Sequence, residues 1–236
     1  CFGGAKNHMI IMPDADMDAT RDAVVASIFG ATGQRCLAGS VVVGVGDAYG
    51  PIRDRLLDGA KRLKIGNGLE DGVDMGPVIS KSHRERVVGY IDQGERDGAA
   101  LLLDGRRATV QRYPEGNWVG PTVLENVTPD MPAGREEIFG PVAGLTKATS
   151  LDDALTFVHR NQYGNAISLF TTSGKAAREF RYRAGISMIG INIGVVAPMA
   201  LFPFGGSRGS FYGDLKAQGR DAIAFYTDQR VIISRW

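Results

Sequence analysis

The chain is poor in the residues that build cross-links and metal centres. Among 236 residues there are two cysteines and three histidines. The cysteines are Cys1 and Cys36, and neither falls in a metal-ligand spacing or a disulfide framework, which leaves reduced thiols suited to a reducing compartment. An excess of one charge is also missing. Lys and Arg number 27 against 26 Asp and Glu, a net charge of +1, which argues against a nucleic-acid or polyanion surface. No apolar run approaches the roughly 20 residues of a membrane span. The first residues, Cys1-Phe2-Gly3-Gly4-Ala5-Lys6, have neither an initiating Met nor the pattern of a signal peptide. They read as a chain that begins inside something longer.

What is plentiful is glycine, at 32 residues. It is scattered through turns rather than repeated, so no collagen, linker or solenoid pattern is present. Hydrophobic residues make up 44% and charged residues 22%, an ordinary globular composition for one large domain or two small ones.

Apolar runs alternate with amphipathic ones. His8 to Met12 reads as a strand, and Asp16 as the cap of a helix from Met17 to about Phe29. Ser40 to Val45 is a buried strand and Ala48 to Leu63 a helix. After a glycine-rich loop from Lys64 to Ile79, Ser82-His83-Arg84-Glu85 has the form of a capping box for a helix to about Asp97. Ala99 to Leu103, Ala166 to Thr171 and Met188 to Ile193 read as strands. Helices are expected at 151–160, capped by Ser150, and over Ser173 to Ala184. The alternation fits βαβ units, hence an α/β fold with an open, mostly parallel sheet flanked by helices. Ile223 to Trp236 alternates apolar and polar residues, the pattern of an exposed strand that seeks a partner.

Cys36, in Gly33-Gln34-Arg35-Cys36, is either a small apolar filler or a nucleophile. Its polar flanks and nearby glycines, which let backbone approach a ligand, favour the second. Two other stretches share the combination of Gly and Pro around a few functional side chains. They are Glu137-Ile138-Phe139-Gly140-Pro141 and Pro203-Phe204-Gly205-Gly206. Alone, Glu137 is as well read as a solvated loop carboxylate and Phe139 as core packing. His8 and His83 are read as structural.

In this order, the Gly-Gln-x-Cys, Glu-x-Phe-Gly-Pro and Pro-Phe-Gly-Gly runs resemble those of the aldehyde dehydrogenase superfamily. A Gly66-Asn67-Gly68 to Gly76-Pro77 loop resembles the family's as well. The likeness covers the family's C-terminal half. It implies a catalytic domain over 1–217, without the N-terminal cofactor domain, and a C-terminal oligomerisation strand over 218–236. It further implies Cys36 as the nucleophile, Glu137 on the nicotinamide ribose of NAD, and Phe139 beside the ring. Partners would be a small aldehyde and further copies of the chain, in a dimer or tetramer. The location would be cytoplasmic, or the mitochondrial matrix in a eukaryote. Alone, this half is expected to be inactive.

One departure bears on mechanism. Family members usually carry Glu-Leu-Gly-Gly-Lys, whose Glu activates water, and here Cys1 or Phe2 takes that place. Neither is a base, so a stronger nucleophile such as the thiol of coenzyme A is expected to release the acyl group. The runs Gly4-Ala5-Lys6-Asn7-His8, Tyr163-Gly164-Asn165 and Gly209-Ser210-Phe211-Tyr212-Gly213-Asp214-Leu215 resemble the acylating, methylmalonate-semialdehyde branch. Arg35 is then a candidate for holding a substrate carboxylate, or else it makes a structural ion pair. The rival readings are a hydrolytic aldehyde dehydrogenase and a non-catalytic, self-associating chain.

Overall fold

The computed structural model describes residues 1–236. Its strands are β1 (Asn7–Ile11), β2 (Gly39–Val45), β3 (Ala100–Leu103), β4 (Thr122–Glu125), β5 (Val142–Ala148), β6 (Tyr163–Gly164), β7 (Ala166–Phe170), β8 (Met188–Ile191) and β9 (Ser207–Arg208). The helices are α1 (Met17–Phe29), α2 (Tyr49–Arg62), α3 (Lys81–Arg96), α4 (Pro132–Arg135), α5 (Leu151–His159), α6 (Gly174–Arg183) and α7 (Gly219–Tyr226). One sheet runs in the order β3-β4-β5-β2-β1-β7-β8, while β6 and β9 form a separate antiparallel pair. Every neighbouring pair in the large sheet is parallel except β3 with β4 at the edge. The open, mostly parallel α/β sheet expected from the sequence is what the chain forms.

The sheet is covered on both faces, which is why β1 and β2 are nearly continuous apolar runs. Alternation along β1 sorts its side chains. Met9 and Ile11 join Val24, Ile28, Ile52 and Leu56 under α1 and α2. Ile10 points the other way, with Val41, Val43, Leu155 and Phe180 under α5 and α6. Helix α3 covers the far end of that second face, where Val87 and Ile91 meet Leu124 and Val142.

Capping fixes where helices begin. Asp16 accepts hydrogen bonds from the Asp18 and Ala19 N–H groups at the start of α1, and Ser150 from Asp153 N–H at the start of α5. The start of α3 differs from expectation. Ser80, extended at φ −156°, accepts from His83 N–H, and Ser82 lies inside the first turn. Both serines precede the same apolar face, but only Ser80 has the non-helical backbone a cap requires.

The tail is the larger correction. Residues 223–226 complete helix α7 instead of a strand, and 227–236 carry no pairing within the chain. Val231, Ile232 and Ile233 are exposed. A strand needs a neighbour to fill its backbone donors and acceptors, and a single chain offers this segment none.

Candidate active site

The segment that presents Cys36 begins where α1 stops. Ala31, Thr32 and Gly33 are all left-handed, at φ 50°, 58° and 67°. For the first two that conformation is unfavourable by about 1 kcal/mol or more each, so surrounding contacts must impose it. Thr32 Oγ1 donates to the Gly76 carbonyl at 2.9 Å. Gln34 grips the same loop in both directions, donating from Nε2 to the Pro77 carbonyl and accepting from Ile79 N–H at 2.9 Å. Gly33 cannot carry a side chain, because a Cβ there would lie 2.2 Å from the Gly140 carbonyl oxygen. The glycine of Gly-Gln-x-Cys is thus in backbone contact with the glycine of Glu-x-Phe-Gly-Pro.

Next comes a tight turn, closed by Ala38 N–H donating to the Arg35 carbonyl at 3.0 Å. Leu37 and Ala38 are buried, and Cys36 at the turn's corner is exposed. That removes the filler reading. Leu37 packs beside Ala166, Met188 and Phe204, so the third glycine-rich stretch supports the turn from below. The Arg35 guanidinium points back along α1, where Nη2 donates to the carbonyls of Ala26 at 2.6 Å and Ser27 at 3.1 Å. This is a cation on the carbonyl end of a helix, a favourable pairing. It gives Arg35 a structural task in tying the turn to the helix.

The facing wall is the segment from Glu136 to Gly140. Phe139 has φ 59°, and its carbonyl lies 2.6 Å from His83 Nε2, which must carry the proton because a carbonyl only accepts. Arg86 donates to the Glu137 carbonyl at 2.8 Å, while Glu136 is held by Tyr90 and Arg135. With the backbone fixed from outside, Lys6, Asn7, Cys36, Glu137 and Phe139 line one cavity, and Arg35 reaches its edge. The structure therefore brings together all four residues singled out in the sequence.

Charge inside this cavity is governed by burial. Burial raises the Glu137 carboxyl above the usual carboxylate range, against the Ala5 N–H, Arg86 and Lys6, which all favour its ionised form. Burial also lowers Lys6 to about 7, with Glu137 and Glu136 opposing. Desolvation outweighs the mutual attraction of Lys6 and Glu137 on both partners. His8 is buried edge-on to Phe157, and burial pushes it down to about 3, so the ring is neutral and structural.

Sequence reasoning missed Lys6, Asn7 and Asn165 as parts of this site. The available signal was a Lys-Asn-His run leading into the apolar Met9-Ile10-Ile11 of a buried strand, since such polar groups are seldom buried without a specific partner. Phe2, one of the two residues at the place of the expected base, packs against Phe204 and Phe211 with ring centroids 5.6 and 5.3 Å apart.

Comparison with known proteins bears on the family and the fold. The "Aldehyde dehydrogenase family" model matches residues 3–232. Malonate-semialdehyde dehydrogenase 1 of Geobacillus kaustophilus is 50% identical over 235 residues, 100% of this chain and 48% of that protein. The mitochondrial, acylating methylmalonate-semialdehyde dehydrogenase of Arabidopsis thaliana is 47% identical over 233 residues, 99% of this chain and 38% of that protein. A Sinorhizobium meliloti structure described as methylmalonate-semialdehyde dehydrogenase in complex with NAD superposes with a TM-score of 0.98. It is 42% identical, over 100% of this chain and 48% of that one. The chain spans about half the length of the curated relatives it matches.

Proposed function

The chain belongs to the aldehyde dehydrogenase family, and from that premise we propose that it supplies the nucleophile for an NAD-dependent, CoA-acylating oxidation of malonate or methylmalonate semialdehyde. The observation that carries this reading is the exposed Cys36 thiol on a cavity whose opposite wall is Glu137 to Phe139.

The Cys36 thiolate attacks the aldehyde carbon and forms a thiohemiacetal. The Cys36 N–H donates to no other group of the chain, so it is free to meet the developing oxyanion. NAD held against Glu137 and Phe139 would supply the acceptor for the hydride that leaves that carbon. Residues here fit the nicotinamide end of such a cofactor: the Glu137 carboxyl faces the cavity and can hold ribose hydroxyls, and Phe139 offers a ring face. What remains on Cys36 is a thioester. Neither Cys1 nor Phe2, the residues at the place of the family's water-activating Glu, is a carboxylate, which supports release by a stronger nucleophile: the thiolate of coenzyme A attacks the acyl carbon and Cys36 leaves as thiolate. Loss of the substrate carboxylate as CO2, with a proton taken up by the carbon it leaves, gives acetyl-CoA from malonate semialdehyde, or propionyl-CoA from its methyl derivative. Arg35 Nη2 is held by helix carbonyls, and Nη1 is the proposed contact for the substrate carboxylate. Residues 1–236 alone are proposed to lack turnover, in keeping with exposed Met199, Leu201 and Phe202, which suit a covering partner.

The test is NADH formation by the full-length protein on methylmalonate semialdehyde, with and without coenzyme A. A single-turnover burst that becomes continuous only with coenzyme A supports the acylating reading. Continuous turnover without it transfers the assignment to the hydrolytic one.

A further inference from the structure

Two buried amides end on the backbone of the nucleophile itself. Asn165 Nδ2 donates to the Cys36 carbonyl at 2.7 Å, and Asn7 Nδ2 donates to the same oxygen at 2.9 Å. Asn7 Nδ2 also reaches the Ala38 carbonyl at 2.8 Å, while its Oδ1 accepts from Ala166 N–H at 3.1 Å. That last partner is a donor, so the orientation of the Asn7 amide is dictated by its neighbours. Both side chains are more than nine-tenths buried. They come from separate places in the chain. Asn7 opens β1, where the register with β2 shifts between Asn7 and His8, and Asn165 precedes β7. The first residue of β1 and the residue before its neighbour β7 thus each send one amide to the turn that carries Cys36.

We propose that Asn7 and Asn165 are positioning residues for Cys36, holding its carbonyl so that the thiol faces the cavity in one orientation. The proposal rests on the reading of Cys36 as nucleophile. Both lone pairs of the carbonyl are occupied, which fixes the Cys36–Leu37 peptide plane and with it the direction of the side chain. There is an electrostatic consequence. An unpaired carbonyl oxygen beside the sulfur would repel a thiolate, and two donated N–H dipoles offset that repulsion. Simple satisfaction of this oxygen would require one donor. The second donor, supplied from a separate place in the chain, constrains a direction.

The experiment uses the full-length protein and its Asn165→Leu, Asn165→Asp and Asn165→Ser variants. Alkylation of Cys36 by iodoacetamide is timed on the Cys36 peptide by mass spectrometry, alongside the rate of the NADH burst and the KM for NAD. Asn165→Leu is expected to slow both alkylation and the burst about tenfold, with KM for NAD unchanged. Asn165→Asp, which sets an acidic group against the carbonyl, is expected to slow both further. If the leucine variant does not fold, Asn165→Ser carries the test, because its hydroxyl is too short to reach the carbonyl. A folded leucine or serine variant with the wild-type alkylation rate and burst overturns the proposal. Absence of any burst in the wild type would instead sink the nucleophile reading, and the alkylation rates would still decide the positioning role.

Discussion

Lys6 and Arg35 show how differently buried and half-buried cations act around one thiol. Lys6 is buried with its pKa lowered to about 7, well under the 10.4 of an unfolded lysine. Between those values the unfolded chain binds more protons than the folded one, so stability rises with pH across that window. The full effect is on the order of 5 kcal/mol. Urea midpoints of the full-length protein should therefore climb more steeply from pH 7 to 9 than those of Lys6→Met, and equal slopes would show that Lys6 is not desolvated. For Arg35, replacement by Ala removes two contacts to the end of α1 and the proposed carboxylate contact together. Two substrates separate these effects. KM for the acid semialdehyde should rise at least tenfold, while propanal, which has no carboxylate, should report only the loss of support for the turn. Equal changes for both would leave Arg35 with its structural role alone. Cys36, Glu137 and Phe139 were legible because each lies in a short motif with unusual local chemistry. Lys6, Asn7 and Asn165 were not, because their significance lies in what they touch across 29 and 129 residues of sequence separation.

Elements were legible wherever local signals agreed. The cap at Asp16 and the amphipathic pattern that follows it gave the same helix, α1. The capping box at Ser82 marked α3 two residues late, because the extended backbone at Ser80, which makes it the cap, is not written in the local pattern. Ser80→Ala should lower stability by about 1 kcal/mol, whereas Ser82→Ala should leave it nearly unchanged. Thermal denaturation of the two variants checks this, and the reverse order would restore the Ser82 cap. The tail shows a limit of another kind. Periodicity over 223–226 suits an amphipathic helix as well as a strand, and the residues beyond have no partner strand in a single chain. Strand order was also hidden, since β1 lies between β2 and β7 through contacts that no local pattern encodes.

At the scale of the molecule, the position of the site is the least sequence-legible feature. Open α/β sheets usually bind ligands beyond the carboxyl ends of their strands. Here Asn7 and Gly39 open β1 and β2, Phe139 precedes β5, and Asn165 precedes β7. The cavity therefore lies beyond the amino ends. Exposed Val231, Ile232 and Ile233 fit the proposal that the tail pairs with a second copy of the chain. Ile232→Asp in the full-length protein should shift sedimentation toward a smaller species, and an unchanged profile would remove the tail from the interface. The account as a whole stands on Cys36 carrying the acyl group. The most direct measurement is peptide mass mapping of the full-length protein quenched in acid after reaction with NAD and methylmalonate semialdehyde, coenzyme A withheld. The account predicts an acyl adduct on the Cys36 peptide that disappears when coenzyme A is added before the quench. An unmodified Cys36 during NADH formation, or an adduct on another residue, would contradict it.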